Sequence, residues 1–365
     1  MNTSDSIIDQ IYEAALVPEM WSSVLASLSV LAGGAGGLLL SARDYKANRT
    51  IFTDSLKEFY DHATNEGWWE RNARGKLLLT LPANEFHSDA DHYSLEEMKC
   101  EPLYADLLWP FGLGYATATH IQVPNGDTLI LSLERSLESG PVERQAVESL
   151  TALRPHIARS ALLASRLAFE RIQSANEAFG VTGLPSAAID VQGRLIDCNG
   201  LFEGRQDQAQ IGAANRVRLV NEDANRVLEQ CLAAIRTGGP ALPFASRSIA
   251  LPRTKDGEAA VLHLVPVRGY ARDIFTSAAY FVILTPLAGD RLAPAELIQG
   301  LFDLTTMEAR VARALATGKD IDGTAQSFGI SRETVRAHLK NIFSKTGFSR
   351  QTDLAAAISL VRTIE

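Results

Sequence analysis

The spacing of apolar positions changes several times along this chain, and each change marks an element. Ile7, Ile8, Ile11 and Ala15 fall on one helical face, and after Pro18 a second face carries Trp21, Val24, Leu25, Leu28 and Leu31. Five residues, Gly33-Gly34-Ala35-Gly36-Gly37, then lead into Leu38-Leu39-Leu40. A dinucleotide-binding loop needs a strand before its glycines and a helix after them, and the order here is reversed, so this run predicts a turn into a first strand. A second strand is expected near residues 50–53. Residues 55–74 read as helical and rich in aromatics (Phe59, Tyr60, Trp68, Trp69), and 94–108 as helical again. Two extended runs, 115–123 and 128–134, are joined by Pro124-Asn125-Gly126-Asp127, and Asn-Gly between alternating runs predicts a hairpin. Residues 1–165 are therefore expected to form an α/β domain with helices flanking a mostly antiparallel sheet.

A long helical stripe follows over 142–174, with Val147, Leu150, Leu153, Ile157, Leu163 and Leu167 on its apolar side. Pro155 lacks the N–H that an inner turn needs, so it should bend this helix or divide it. Residues 166–177 serve as a helical connector. Over 178–287 the pattern is strand, Gln192-Gly193 turn, strand and Asn199, then a helix over 223–236 with Val227, Leu228, Cys231, Leu232 and Ile235 inward. Gly238-Gly239-Pro240 should stop that helix, and three extended runs follow (244–251, 259–267, 278–284), the first two turning at Asp256-Gly257. Pro286, Gly289 and Pro294 place a linker over 288–299.

The last segment, 300–365, has the sharpest punctuation. Thr305 and Glu308 have capping-box spacing, Val311 and Leu315 recur four apart, and Gly318 ends the run. A second short helix carries Ile321, Ala325 and Phe328, and Gly329-Ile330 has the form of a Schellman stop. Ser331 is a good N-cap for a third helix, with Glu333 in its first turn. That helix turns Val335, Leu339 and Ile342 inward, while Arg332, Arg336 and Lys340 recur every four residues on another face. One apolar and one cationic face, with two packed helices before it, suit a DNA major groove whose phosphate rims are neutralised by Lys and Arg.

These residues resemble the LuxR-type helix-turn-helix family. The shared positions are Leu304, Thr305 and Glu308, then Ile330, Ser331, Thr334, Val335, Arg336 and His338, continued by Asn341, Ile342, Lys345 and Arg350. The resemblance implies a DNA-binding set of Ser331, Arg332, Thr334, Val335, Arg336, Ala337, Lys340, Asn341 and Lys345. Within it, Arg336, Ala337 and Lys340 would face base edges, and Thr334, Asn341 and Lys345 would hold phosphates. The last helix, from Gln351, presents Leu354, Ile358 and Val361, which the family uses as a dimer contact; core packing is the competing role for the same face. The chain departs from the family at 320–325, where Asp320 and Asp322 stand in a run that usually carries a Lys, so they should repel phosphate. Residues 154–167 resemble the end of the sensory domain in LuxR-type regulators without a receiver domain. Residues 1–165 resemble a GAF-like fold, and 185–199 resemble the opening of a PAS domain. The expected architecture is multidomain: a GAF-like α/β domain, a PAS-like α/β domain and an all-α DNA-binding domain.

Charge supports that division. The chain has 365 residues and a net charge of −8, yet residues 301–365 hold nine Lys and Arg against seven Asp and Glu, leaving 26 against 36 for the rest. An acidic body with a mildly basic tail fits a sensor joined to a DNA reader. Cys100, Cys198 and Cys231 have no metal or disulfide spacing, no apolar run is long enough to span a bilayer, and the first residues carry acids instead of a basic leader, so the expected location is the cytoplasm. His87, Asp89, Asp91 and His92 could approach one another, but such loop clusters are usually solvated, and no metal is expected. Trp68, Trp69, Trp109 and Phe111 could line an apolar ligand cavity or simply pack. No magnesium-binding acidic pair precedes Asp54, no Asn-Cys-Arg-Phe helix surrounds Cys198, and His263 lies in a strand, so no cofactor and no enzymatic reaction are expected. The expected partners are double-stranded DNA, a second copy of the chain and an unidentified small-molecule effector, with RNA polymerase a further candidate and no membrane. Two alternatives stay open: a cofactor-binding sensor with enzymatic turnover, and an adaptor that docks on protein and leaves DNA alone.

Overall fold

The computed structural model describes residues 3–43, 46–124, 126–237, 246–254, 258–267, 274–287 and 294–360. Two compact units emerge, one of residues 1–173 with 267–279, the other of residues 174–266 with 280–365.

In the first unit, α1 (Thr3–Leu16) and α2 (Trp21–Leu31) precede β1 (Gly36–Arg43) and β2 (Lys46–Phe52). Three short helices follow, α3 (Lys57–Asn65), α4 (Trp68–Arg71) and α5 (Ala73–Leu78), then β3 (His87–Ser88) and α6 (Leu95–Cys100). A π-helical turn, Leu103–Leu108, leads to β4 (Leu113–Gln122) and β5 (Thr128–Ser136). The sheet order is β2-β1-β5-β4-β3, and every pairing is antiparallel. Pleat alternation divides β1 between two cores: Leu39 packs with Trp21, Leu25, Leu150 and Ile157, and Leu38 and Leu40 pack on the opposite face with Phe59, Tyr104 and Leu108. Helices thus cover both sides of this sheet. The expected single helix over 55–74 is broken at two points: Gly67 is left-handed at φ 68°, and Asn72 caps α5 by accepting from Gly75 N. The glycine run serves close packing. A Cβ on Gly36 would lie 2.5 Å from Thr53 Oγ1 and 2.7 Å from Leu56 Cγ, so only glycine fits.

Helix α7 (Arg144–Val181) runs for 38 residues with Pro155 inside it, so of the two outcomes expected there, a bend or a division, the division does not occur. Tertiary burial on one side outweighs the lost hydrogen bond, since Leu150, Leu153, Ile157, Ala161 and Ala164 all pack in the first core. Ile274 and Phe275, between two strands of the second sheet in sequence, also belong to that core, with the Phe275 ring 5.4 Å from Trp21.

The second unit holds another sheet. Its strands are β6 (Ser186–Ile189), β7 (Leu195–Cys198), β10 (Arg247–Leu251), β11 (Ala260–Pro266) and β12 (Tyr280–Pro286); β8 (Ala209–Ile211) and β9 (Val217–Leu219) form a separate hairpin. The order is β10-β11-β12-β6-β7; read from the β7 end, it repeats that of the first sheet when strands are counted within each: second, first, fifth, fourth, third. Between β7 and β8 lies α8 (Gly200–Glu203), and α9 (Glu222–Thr237) follows β9. Asn199 organises the start of this domain. Its side chain caps α8 through Phe202 N, accepts from Ser186 N at 3.1 Å and donates to Leu184 O at 2.9 Å. The glycine stop at 238–240 and the turn at 256–257 lie outside the described residues.

The C-terminal region is all-α: α10 (Ala295–Phe302), α11 (Thr306–Ala316), α12 (Ile321–Phe328), α13 (Arg332–Thr346) and α14 (Gln351–Leu360). Helix α10 begins inside the stretch expected as a linker, because Leu304, Val311 and Leu315 offer Ile298 a place in their core. The chain therefore contains two α/β sheet domains and an all-α region.

Candidate nucleic-acid interface

The caps of the C-terminal helices form as their sequence dictates. Thr305 accepts from Glu308 N, and Glu308 Oε2 accepts from Thr305 N at 2.8 Å, closing the capping box of α11. Gly329 is left-handed at φ 64°, Ile330 N donates to Ala325 O and Gly329 N to Gln326 O, which is the Schellman pair that ends α12. Ser331 then caps α13 by accepting from Thr334 N at 3.1 Å, and its hydroxyl lies 3.0 Å from that of Thr334. These two caps fix the turn between α12 and α13 over only a few residues.

Helix α13 is divided by burial. Val335 and Ile342 are fully buried beside Val311, Ala325 and Leu354. Arg332, Arg336, Ala337, Lys340, Asn341 and Lys345 are all exposed. Val335 must be removed from the candidate contact set, because its side chain seats the helix in the core and has no surface to offer a duplex. Burying a valine this way contributes about 1.5–3 kcal/mol.

Two cations already hold carboxylates. Arg332 Nε lies 2.6 Å from Asp322 Oδ1, and Lys345 Nζ lies 2.8 Å from Glu308 Oε2. Glu308 is 3 % exposed, and the Lys345 ammonium, the Thr305 backbone N–H and the Thr305 hydroxyl hold its pKa down to about 2 against the opposing effect of burial. The aspartates expected to repel phosphate have other partners: Asp320 caps α12 through Gly323 N, and Asp322 is neutralised by Arg332. Arg336 and Lys340, one turn apart, are exposed on the helix without such an acid in contact among the described residues.

Leu354 and Ile358, candidates for a dimer contact, are both 0 % exposed within this region's own core. The apolar face of α14 is used up by Val311, Leu315 and Ile342, so it packs internally; Val361 lies outside the described residues.

A second feature lies in the first unit, between the sheet and its short helices. A cavity is lined by Leu40, Ile130 and Ser132 from the sheet and by Trp68, Trp69 and Arg74 from α4 and α5. The π-helical turn adds Leu103, Leu107 and Leu108, and such widened turns recur at functional sites. Trp109 and Phe111 are not among the lining residues. At the polar end, Arg74 donates to Glu134 Oε1 at 2.7 Å and Asp89 Oδ2 at 3.2 Å, and Ser132 Oγ donates to Glu134 Oε1 at 2.7 Å. Burial pushes the Asp89 carboxyl up to about 6, with Arg74 opposing and Glu134 reinforcing. Asp89 is therefore a buried partner of Arg74, not a solvated loop acid. His87 bonds Pro82 O at 2.7 Å, and no group of three or more His, Cys, Asp or Glu side chains fit to hold a metal occurs among the described residues.

The model for GerE, described as bacterial regulatory proteins of the luxR family, matches residues 303–358. These residues form a LuxR-family helix-turn-helix domain. No curated protein matches the chain. Among solved structures, the N-acylhomoserine lactone-dependent LuxR-family factor CepR2 from Burkholderia cenocepacia is 15 % identical, covering 46 % of this chain and 99 % of its own, with a TM-score of 0.37. SdiA from Escherichia coli is 12 % identical over 100 % of this chain and 94 % of its own, at 0.28. A ligand–DNA complex of VqmA from Vibrio cholerae is 16 % identical over 49 % and 86 %, at 0.21. At these scores no shared whole-chain fold is established. The LuxR-family domain is a DNA-binding module of transcription regulators. No helix among the described residues is long and apolar enough to cross a membrane.

Proposed function

We propose that this chain is a homodimeric transcriptional regulator whose operator affinity is set by its two α/β domains. The observation that carries the reading is the division of α13: Val335 and Ile342 anchor it, while Arg336, Ala337, Lys340 and Asn341 stand exposed on its outer face. In this reading Arg336 and Lys340 meet base edges with Ala337 between them, Thr334, Asn341 and Lys345 lie along phosphates, and Ser331 and Arg332 border the same groove. Paired helix-turn-helix domains read half-sites about one helical turn apart, so any shift in their spacing changes operator affinity without a chemical step.

The two sheet domains are read as GAF-like (1–165) and PAS-like (178–287), joined by a connector at 166–177 and followed by a linker that leads into the DNA-binding segment, 300–365. Their shared strand order supports that kinship. The effector is assigned to the cavity beside Trp68, Trp69 and Arg74, where an apolar lining with a few polar groups has the make-up of a small-molecule site. No cofactor is required, and RNA polymerase is a further candidate partner. Polarisation titrations of the full chain and of a chain ending at Ala293, on the region upstream of its own gene and on random duplex, test the reading. The full chain should bind the upstream region more tightly than random duplex and the shortened chain neither; equal binding by both chains would refute it.

A further inference from the structure

Arg332 and Asp322 belong to different helices and meet beside the turn that joins them. Arg332 is the first residue of α13 and Asp322 stands in the first turn of α12, with Nε 2.6 Å from Oδ1. The turn is fixed at both ends, by left-handed Gly329 and by the Ser331 cap, so the backbone sets where the two side chains start. Both stay open to solvent, at 63 % for the arginine and 54 % for the aspartate. Water and ions reach the pair, and it is an exchangeable contact of the weak, surface kind.

Each charge has a reason for its place. The first turn of a helix is its positive end, so it favours Asp322 in α12 and disfavours Arg332 in α13, and the aspartate offsets that misfit. The neighbouring acids are engaged elsewhere. Asp320 accepts from Gly323 N, and Glu333 accepts from its own backbone N–H and the Ser331 hydroxyl. Asp322 is therefore the acid in contact with Arg332 among the described residues. The other exposed cations of α13 stand differently: Lys345 holds the nearly buried Glu308, and Arg336 and Lys340 have no acid in contact among the described residues.

A phosphate would seek from Arg332 what Asp322 already takes: a charge-assisted hydrogen bond to an oxygen anion. We infer that Asp322 is an internal competitor for the Arg332 guanidinium, holding down the sequence-independent part of duplex binding and leaving recognition to Arg336 and Lys340. The inference rests on the DNA-binding reading proposed above and adds a residue outside its contact set. Because the pair is exposed, the competition grades affinity and does not abolish it. A duplex phosphate must displace the carboxylate and then tolerate its charge nearby, and both effects fade with salt.

The test is a double-mutant cycle read by polarisation, with the full chain on the region upstream of its own gene and on random duplex across a salt series. Asp322→Asn keeps the side chain's shape and removes its charge. It should bind both duplexes about two- to fivefold more tightly at low salt, by the same factor on each, with a salt slope steeper by up to about one unit. Asp322→Ser, which also suits the first turn of a helix, should repeat the gain. In an Arg332→Ala background the same changes should bring less than half of it, because what remains is plain repulsion. No gain from either variant, a gain on one duplex alone, or a gain at least half as large without Arg332 would each overturn the competition. Wild-type binding that ignores Asp322 overturns this inference alone. Undetectable binding by every variant on both duplexes overturns the regulator reading with it.

Discussion

Lys345, near the end of the exposed helix α13, holds Glu308, the acid that closes the capping box of α11, with Nζ 2.8 Å from Oε2. The pair ties the start of α11 to the end of α13 and places a cation, 37 % exposed at its side chain, over a nearly buried carboxylate. A residue chosen from the sequence as a phosphate contact therefore has a structural duty as well.

Replacing Lys345 by Ala should lower the domain's stability by about 1–3 kcal/mol, because Glu308 keeps its burial and loses its counter-charge. Denaturant melts of the full chain report this as a loss in the C-terminal transition. The salt slope of DNA binding should fall by less than about one unit, since part of this cation's charge is already answered. A full unit of change with no loss of stability would show that the Glu308 contact is incidental.

Acid should act through the same pair. The folded Glu308 carboxyl, near 2, lies below its usual value of 4.5. A depressed carboxylate contributes stability above its unfolded pKa and loses it as pH falls through the folded one, so this contribution is complete above about pH 5 and disappears toward pH 2. Glu308→Gln should flatten the pH dependence of the domain's melting in that window, while costing stability at pH 7.

Asp89 should act with the opposite sign. Its folded pKa, about 6, stands above the usual 3.8, so the protonated form favours the fold and stability from this group is lost as pH rises from about 4 through 6. Asp89→Asn, which mimics the protonated acid, should make the first unit's melting temperature less sensitive to pH between 4 and 7. An unchanged profile would show that Arg74 keeps the acid ionised throughout.

Arg336→Ala should cost about 1–3 kcal/mol on an operator and relax preference at the base pairs it meets. Binding compared between operator and random duplex separates this from a loss of general charge, which would weaken both equally.

The DNA-binding domain was legible because its signals are local. A capping box, a Schellman glycine and an N-cap serine each act within six residues, so Thr305, Glu308, Gly329 and Ser331 could be placed without knowing any distant neighbour. Apolar spacing likewise marked Val335 and Ile342 as inward, and the alternating runs around Asn125-Gly126 marked β4 and β5. The sequence could not say whether Leu354 and Ile358 face a partner or their own core, since an apolar stripe is the same in both cases; only the positions of Val311 and Ile342 answer it. Nor could local pattern carry α7 through Pro155, or bring Arg74, Asp89 and Glu134 together from three separate elements. Short-range hydrogen bonds and periodicity determined which elements exist. Long-range burial, acting between residues tens of positions apart, decided which charges are paired and which remain free to meet another molecule.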